Sequence, residues 1–354
     1  MATTTHRDPG TPSPLQNIGA PPSYAAVLPG LGLHPDEVPA LLAAEAFSLA
    51  RIDTARLCLG ALDQTHASTT AVFALGSLGR LEASAQSDLD LAFLYDGGHL
   101  SPAAAEARRD RVIAALRPEF DIPEKTFDRA IDLRTITRNI GGRSDTNQAL
   151  TYRALLLTEG AELSGAARSM KTAVFHAYAS GIITRGRFLT SLGNDLHRYY
   201  RTLCMDYRHK VEELDKGWAL RVLKLRHSRK LWHLANIALQ CWAVDAIPDD
   251  ATRDDALAEH SRWPSLLRLD LALAHFGAAE LGREAFLCLE VFLAALASAD
   301  HREALAGLPY ADRSRSPIYA ELHVNADRLD AATADIVKVL FERCQRFMVR
   351  FCIL

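Results

Sequence analysis

The sequence predicts an α+β chain in which strands are confined to one early region and helices fill the rest. Two observations carry that reading. Between Ala71 and Gly98, AVFALGSLGRLEASAQSDLDLAFLYDGG, two apolar runs of strand length, Ala71–Leu75 and Leu89–Tyr95, flank a glycine-bearing turn, Gly76-Ser77-Leu78-Gly79-Arg80. Beyond Thr137 the chain reads as helical to its end, with breaks at Gly181, at Pro248-Asp249-Asp250 and between Pro309 and Pro317.

Residues 1–33 are rich in Thr, Pro, Ser and Gly, including Pro9, Pro12, Pro14, Pro21 and Pro22. That composition buries too little apolar surface to offset chain entropy, so a disordered leader is expected. From His34 the pattern turns helical. Pro35-Asp36-Glu37 places acids in a first turn, and Val38, Leu41, Leu42, Ala46, Leu49 and Ile52 supply an apolar face that continues through Leu57, Leu59 and Leu62. After the strand pair, Ser101-Pro102 has the N-cap and N1 pattern of a helix that runs to Leu116 and is stopped by Pro118. Phe120 to Ile136 reads as a further strand region. Helices are then expected at about 167–180, 185–215, 217–245, 253–278, 279–298 and 326–351. Domains are expected at 34–165 and 166–354.

A chain of 354 residues, 49% hydrophobic and 23% charged, falls among ordinary soluble globular proteins. Its net charge of −3 argues against a general nucleic-acid coat. Cys58, Cys204, Cys241, Cys288, Cys344 and Cys352 show no metal-ligand spacing and read as reduced thiols of a cytoplasmic protein. No apolar run approaches the roughly 18 residues of a membrane span. The leader has no secretory pattern, although such a tail also suits the address of an exported effector.

The chemistry concentrates around the turn. Side chains alternate along a strand, so Asp88 and Asp90 share one side while Leu89 and Leu91 share the other. Paired carboxylates repel one another unless a cation lies between them. Mg²⁺ suits such a pair, because it binds one or two carboxylates and completes its shell with phosphate and water. The turn's backbone N–H groups and the Ser77 hydroxyl suit a phosphate. For a third carboxylate, the apolar-acid-apolar pattern offers Asp121, in Phe120-Asp121-Ile122, and Asp132, in Ile131-Asp132-Leu133, with Asp128 a weaker third.

Gly-Ser followed by Gly-Arg-x-Glu and then Ser-Asp-x-Asp-Leu resembles the signature of nucleotidyltransferases of the DNA polymerase beta superfamily, closest to the PII uridylyltransferase-like group and its relatives. That resemblance covers about residues 40–235 and implies a small mixed sheet flanked by helices, with an all-helical C-terminal domain that completes the cleft and binds the acceptor. Phe120-Asp121 ahead of Leu133-Arg134-Thr135 echoes the family's Trp-Asp before Val-Arg-Thr and favours Asp121, though the gap here is longer. Asp145 to Glu159 resembles the segment where a family helix ends in Leu-x-Gly, here Leu163-Ser164-Gly165.

The second informative stretch is basic. Between Trp218 and Trp232 lie Arg221, Lys224, Arg226, Arg229 and Lys230 without an acid. Trp218, Val222, Leu225 and Trp232 recur at helical spacing and face a core, which leaves Arg221 and Lys224 on another face. With Tyr207 and Lys210 the stretch resembles the family's Tyr, Lys and Gly-Leu-Arg region. Lys210, Arg221 and Lys224 are then expected to reach the triphosphate or base, the alternative being a solvated face paired with Glu212 and Asp215.

The resemblance implies transfer of an NMP from an NTP to an acceptor hydroxyl, on a protein, with release of pyrophosphate. Two Mg²⁺ ions, or Mn²⁺, would be held by Asp88, Asp90 and Asp121, and the triphosphate by Gly76, Ser77, Gly79 and Arg80. Arg80 has a second reading as a brace for the turn, with Glu82 its partner. RNA or a small molecule is the alternative acceptor, and a nucleotide-binding module without turnover is the non-enzyme reading. The chain has no His-Asp dipeptide, so removal of the nucleotide is not expected.

Overall fold

The computed structural model describes residues 21–62, 65–123, 128–179, 190–212 and 217–353, with only the backbone of residues 208, 210, 212 and 351–353. A four-stranded mixed sheet forms from β1 (Thr70–Leu75), β2 (Asp90–Tyr95), β3 (Ile131–Asp132) and β4 (Ala161–Gly165), in the order β3-β2-β1-β4. β1 pairs antiparallel with β2 and β4, and β2 pairs parallel with the two-residue β3. The two runs predicted as strands are β1 and β2, in the register Thr70 to Tyr95 and Leu75 to Asp90.

Both faces of the sheet are covered, as expected where strands read as continuous apolar runs. Val72, Ala74, Leu91 and Phe93 pack with Ile52, Ala55 and Leu59 of α2 (Pro39–Gly60) and with Ala105, Val112 and Leu116 of α4 (Pro102–Leu116). Ala71, Phe73, Leu75, Ala92 and Leu94 belong to a larger core that runs through the helical remainder of the chain. This α+β architecture with a helical C-terminal region is the predicted fold class. Ser101 caps α4 and Pro102 opens it, as the sequence indicates.

Several elements depart from expectation. Residues 24–33, grouped with the leader, are folded: α1 (Tyr24–Val27) and a following 3₁₀ turn bury Tyr24, Leu28, Leu31 and Leu33. The proline density there masks the apolar spacing of these four. Pro35–Glu37 forms its own short turn rather than the first turn of α2. The start of α2 is covered by the Glu290 carboxylate, which accepts the N–H groups of Ala40 at 3.0 Å and Leu41 at 2.7 Å. Among the described residues of the strand region expected at Phe120–Ile136, only β3 pairs as a strand, and α5 (Leu133–Thr137) follows at once. α6 (Asn147–Glu159) ends before Gly160, so Leu163-Ser164-Gly165 is the edge strand β4 and not a helix end.

Helices continue as α7 (Ala167–Ala179), α8 (Thr190–Glu212), α9 (Trp218–Lys224), α10 (Lys230–Ala246), α11 (Asp250–His260), α12 (Ser265–His275) and α13 (Glu280–Ala297). After them come α14 (Ala299–Ala306) and α15 (Pro317–Arg343), and a short turn with a final wide helical segment ends the chain. α14 was not foreseen, and α15 begins nine residues before the expected 326. The break expected at Gly181 lies outside the described residues. α9 and α10 are joined without interruption by a wide i→i+5 turn, Leu225–Arg229. Among the described residues no helix is long and apolar enough to cross a membrane.

Candidate functional site

β1 runs directly into the one-turn helix α3 (Gly76–Gly79). Gly76 adopts φ +66°, and a β-carbon there would overlap the Asp90 carboxylate. A β-carbon on Gly79 would collide with the backbone carbonyl of Glu159. Two glycines therefore let the turn press against the Asp90 side chain on one flank and the end of α6 on the other. Hydrogen bonds from Arg80 N to Gly76 O (3.1 Å) and from Glu82 N to Ser77 O (2.8 Å) close it, and no side chain caps its start.

β2 begins at Asp90, so alternation sets Asp90 opposite buried Leu91, on the side of Ala92 and Leu94, while Asp88 and buried Leu89 stand in the segment just before the strand. Both acids line a cleft of about 740 Å³, together with Gly76, Ser77 and Asp121. The loop of Asp121 is fixed to this site by a hydrogen bond from Leu89 N to Asp121 O, 2.8 Å. Asp132 is not there. It sits opposite Tyr95 in the β2–β3 register, five residues and about 16 Å along β2 from Asp90. Its carboxylate caps α5 and pairs with Arg134 at 2.8 Å. Partial burial pushes that carboxyl up, but the Arg134 hydrogen bonds and charge outweigh it and hold the group below the usual range. Of the rival third acids, only Asp121 reaches the cleft. Asp128 lies exposed beside Arg129.

The wall facing the acids is cationic and comes from the helical region. Lys224, Ser228 and Arg229 line it from the α9–α10 junction, and Arg302 from α14. In a regular helix a residue five positions after Lys224 would have rotated off the shared face. The wide turn between them adds the missing residue to one turn and brings Arg229 back beside Lys224 and Ser228. Burial lowers the Lys224 ammonium to about 8, helped by Arg302, Arg80 and Arg229 and opposed by Asp88. Lys224 is nonetheless an exposed residue at the open cleft, which moderates that effect.

Arg80 is the brace of the second reading rather than a free ligand. Its Nε donates to Glu82 at 2.9 Å, its Nη1 to Glu159, and both side chains are almost wholly buried. Burial alone would lower its pKa, but Glu159 and Glu82 drive it far upward. Glu159 also receives Nη1 of Arg229, so one carboxylate ties the turn to the cationic wall. Arg221 is separated from Lys224: it does not line the cleft and lies near Tyr207 instead. Lys210 belongs to α8, but its side chain lies outside the described residues.

Two helices far apart in sequence close the remaining side. α2 contributes Ala40, Ala43 and Phe47, and α13 contributes Leu293, Leu296 and Ala297. The C-terminal helices thus complete the cleft. The sequence contained Arg229 without any sign that it would share a face with Lys224, because the wide turn has no periodic signature. Arg302 carried no signal, since α14 was not foreseen.

A divalent cation can be tested against these donors. Asp88 and Asp90 supply the one or two carboxylates that Mg²⁺ needs when phosphate oxygens complete its shell. The full cluster expected of Asp88, Asp90 and Asp121 is not gathered: among the described residues no three His, Cys, Asp or Glu side chains lie close enough to hold an ion. No family model matches the chain, and neither curated proteins nor solved structures give a match.

Proposed function

We propose that the protein is a metal-dependent nucleotidyltransferase that moves an NMP from an NTP to an acceptor hydroxyl. One observation carries this reading: the aspartate pair, the Gly76-Ser77 turn and the cations Lys224, Arg229 and Arg302 all line the same cleft. A polyanion and its divalent counterion are the ligands whose charge matches such a wall-to-wall separation of carboxylates and cations. The signature GS, GR-x-E and SDxDL supports the class, since the residues that carry it are those that line or brace the cleft.

In this reading Asp88 and Asp90, with Asp121 nearby, hold Mg²⁺. The bound ion supplies Lewis-acid activation of the α-phosphate and of the attacking hydroxyl. The turn receives phosphate at Gly76 and Ser77. Lys224, Arg229 and Arg302 neutralise charge that accumulates on the departing pyrophosphate. The acceptor proposed from the resemblance is a protein hydroxyl, with RNA and small molecules as competing substrates. A second reading is nucleotide binding without transfer, favoured in that, among the described residues, no three His, Cys, Asp or Glu side chains lie close enough to hold an ion.

Labelled NTPs incubated with the protein, Mg²⁺ and cell lysate test the choice. Transfer to a discrete protein band that is lost in Asp90→Ala supports the proposal. Label confined to RNA changes the acceptor, and binding without transfer supports the second reading. No binding of any NTP refutes both.

A further inference from the structure

Only part of the cleft is charged. The seam between α2 and α13 presents Ala40, Ala43, Phe47, Leu293, Leu296 and Ala297, which carry no hydrogen-bonding group on their side chains. This shelf adjoins the wall of Lys224, Arg229 and Arg302, and Phe47 is only half-buried. A ligand filling the cleft must therefore be amphipathic, anionic at one end and apolar over a broad surface at the other. A peptide or sugar hydroxyl set on the shelf would leave its polar neighbours without partners, which is costly. A flat aromatic ring loses little, because its faces accept apolar contact while its edges stay toward cleft water.

We infer that the α2–α13 shelf seats the nucleobase of the bound nucleotide, recognising it by face contact rather than by its hydrogen-bonding edges, and so favours purines over pyrimidines. This rests on the nucleotide reading above. Ser84, Gln86 and Ser87 line the same cleft from the loop before the aspartates, whereas the α2–α13 seam itself carries no hydrogen-bonding side chain. With no edge reader on the shelf, contact area decides, and a two-ring base offers more of it.

The test is equilibrium binding to the full chain of the Mg²⁺ complexes of ATP, GTP, CTP and UTP, and of inorganic tripolyphosphate, which reaches the charged wall alone. Ala43→Gln is the informative variant. Ala43 is exposed on its helix, so glutamine is tolerated by the fold, and the added side chain is uncharged. Phe47→Ala is the second variant. The expected result is ATP and GTP binding alike and several-fold tighter than CTP and UTP, with about a tenfold loss of ATP affinity in either variant and tripolyphosphate unchanged within twofold. Equal affinity of ATP and tripolyphosphate for the unmodified protein overturns the inference while leaving the phosphate site standing. So does a preference for pyrimidines, or a variant that weakens tripolyphosphate as much as ATP. If no triphosphate binds at all, the nucleotide reading fails first and the shelf falls with it.

Discussion

Replacing Glu159 by glutamine removes the charge that joins the Gly76–Gly79 turn to the helical wall. The Glu159 side chain is fully buried and accepts from Arg80 through one oxygen and Arg229 through the other. Glutamine keeps one acceptor and turns an N–H₂ group toward the second guanidinium. Breaking a buried ion pair from one side costs about 3–5 kcal/mol, because the partner is left charged and dry. Two features reduce the figure: Arg80 keeps Glu82 on its Nε at 2.9 Å, and Arg229 retains about a quarter of its side-chain exposure. A loss of about 2–3 kcal/mol follows, or a fall in Tm of roughly 3–4 °C for a chain of this size. Thermal unfolding of Glu159→Gln beside the unmodified protein is the assay. A Tm for Glu159→Gln within 1 °C of the unmodified protein would refute the claim that this carboxylate braces the turn.

Asp121→Asn should depress transfer at least about a hundredfold, whereas Asp132→Asn should leave transfer intact and cost about 1 kcal/mol of stability through loss of the α5 cap; parallel activity and denaturation measurements separate them. Burial and the neighbouring cations lower the Lys224 ammonium to about 8, so raising the pH from 7 to 9 should remove part of its charge. Affinity for Mg²⁺-free tripolyphosphate should accordingly fall as pH rises from 7 to 9, and a Lys224→Met protein should lose most of that slope in calorimetry. A chain beginning at His34 should be severely destabilised in thermal unfolding, since it lacks buried Tyr24, Leu28, Leu31 and Leu33. Gly76→Ala should cost stability through both its φ of +66° and its overlap with Asp90, measurable by urea denaturation.

Continuous apolar runs of strand length made β1 and β2 readable, and alternation within the expected strand put Asp88 and Asp90 on one side. The capped start of α4 was equally plain in Ser101-Pro102. What escaped the sequence were features decided by contacts across long separations. Asp121 and Asp132 sit in the same local pattern, and only the β2–β3 register, which sends Asp132 to the far end of the strand, tells them apart. β4 was read as the tail of a helix because an edge strand five residues long has little pattern of its own. Arg80 looked like a ligand until Glu159, 79 positions away, arrived to neutralise it. Tyr24 to Leu33 looked too proline-rich to fold, yet their burial depends on helices formed by the last third of the chain.

The Glu290 carboxylate seated on the start of α2 bears on how the polypeptide is made. Ala40 and its acceptor are 250 residues apart, so at about 5–20 residues per second a ribosome takes roughly 12–50 s to deliver the one after the other. Through that interval the first long helix stands without its stopper, and one side of the future cleft has nothing to lean on. The apolar residues that α2 packs against α13 therefore stay uncovered until residue 290 has been made.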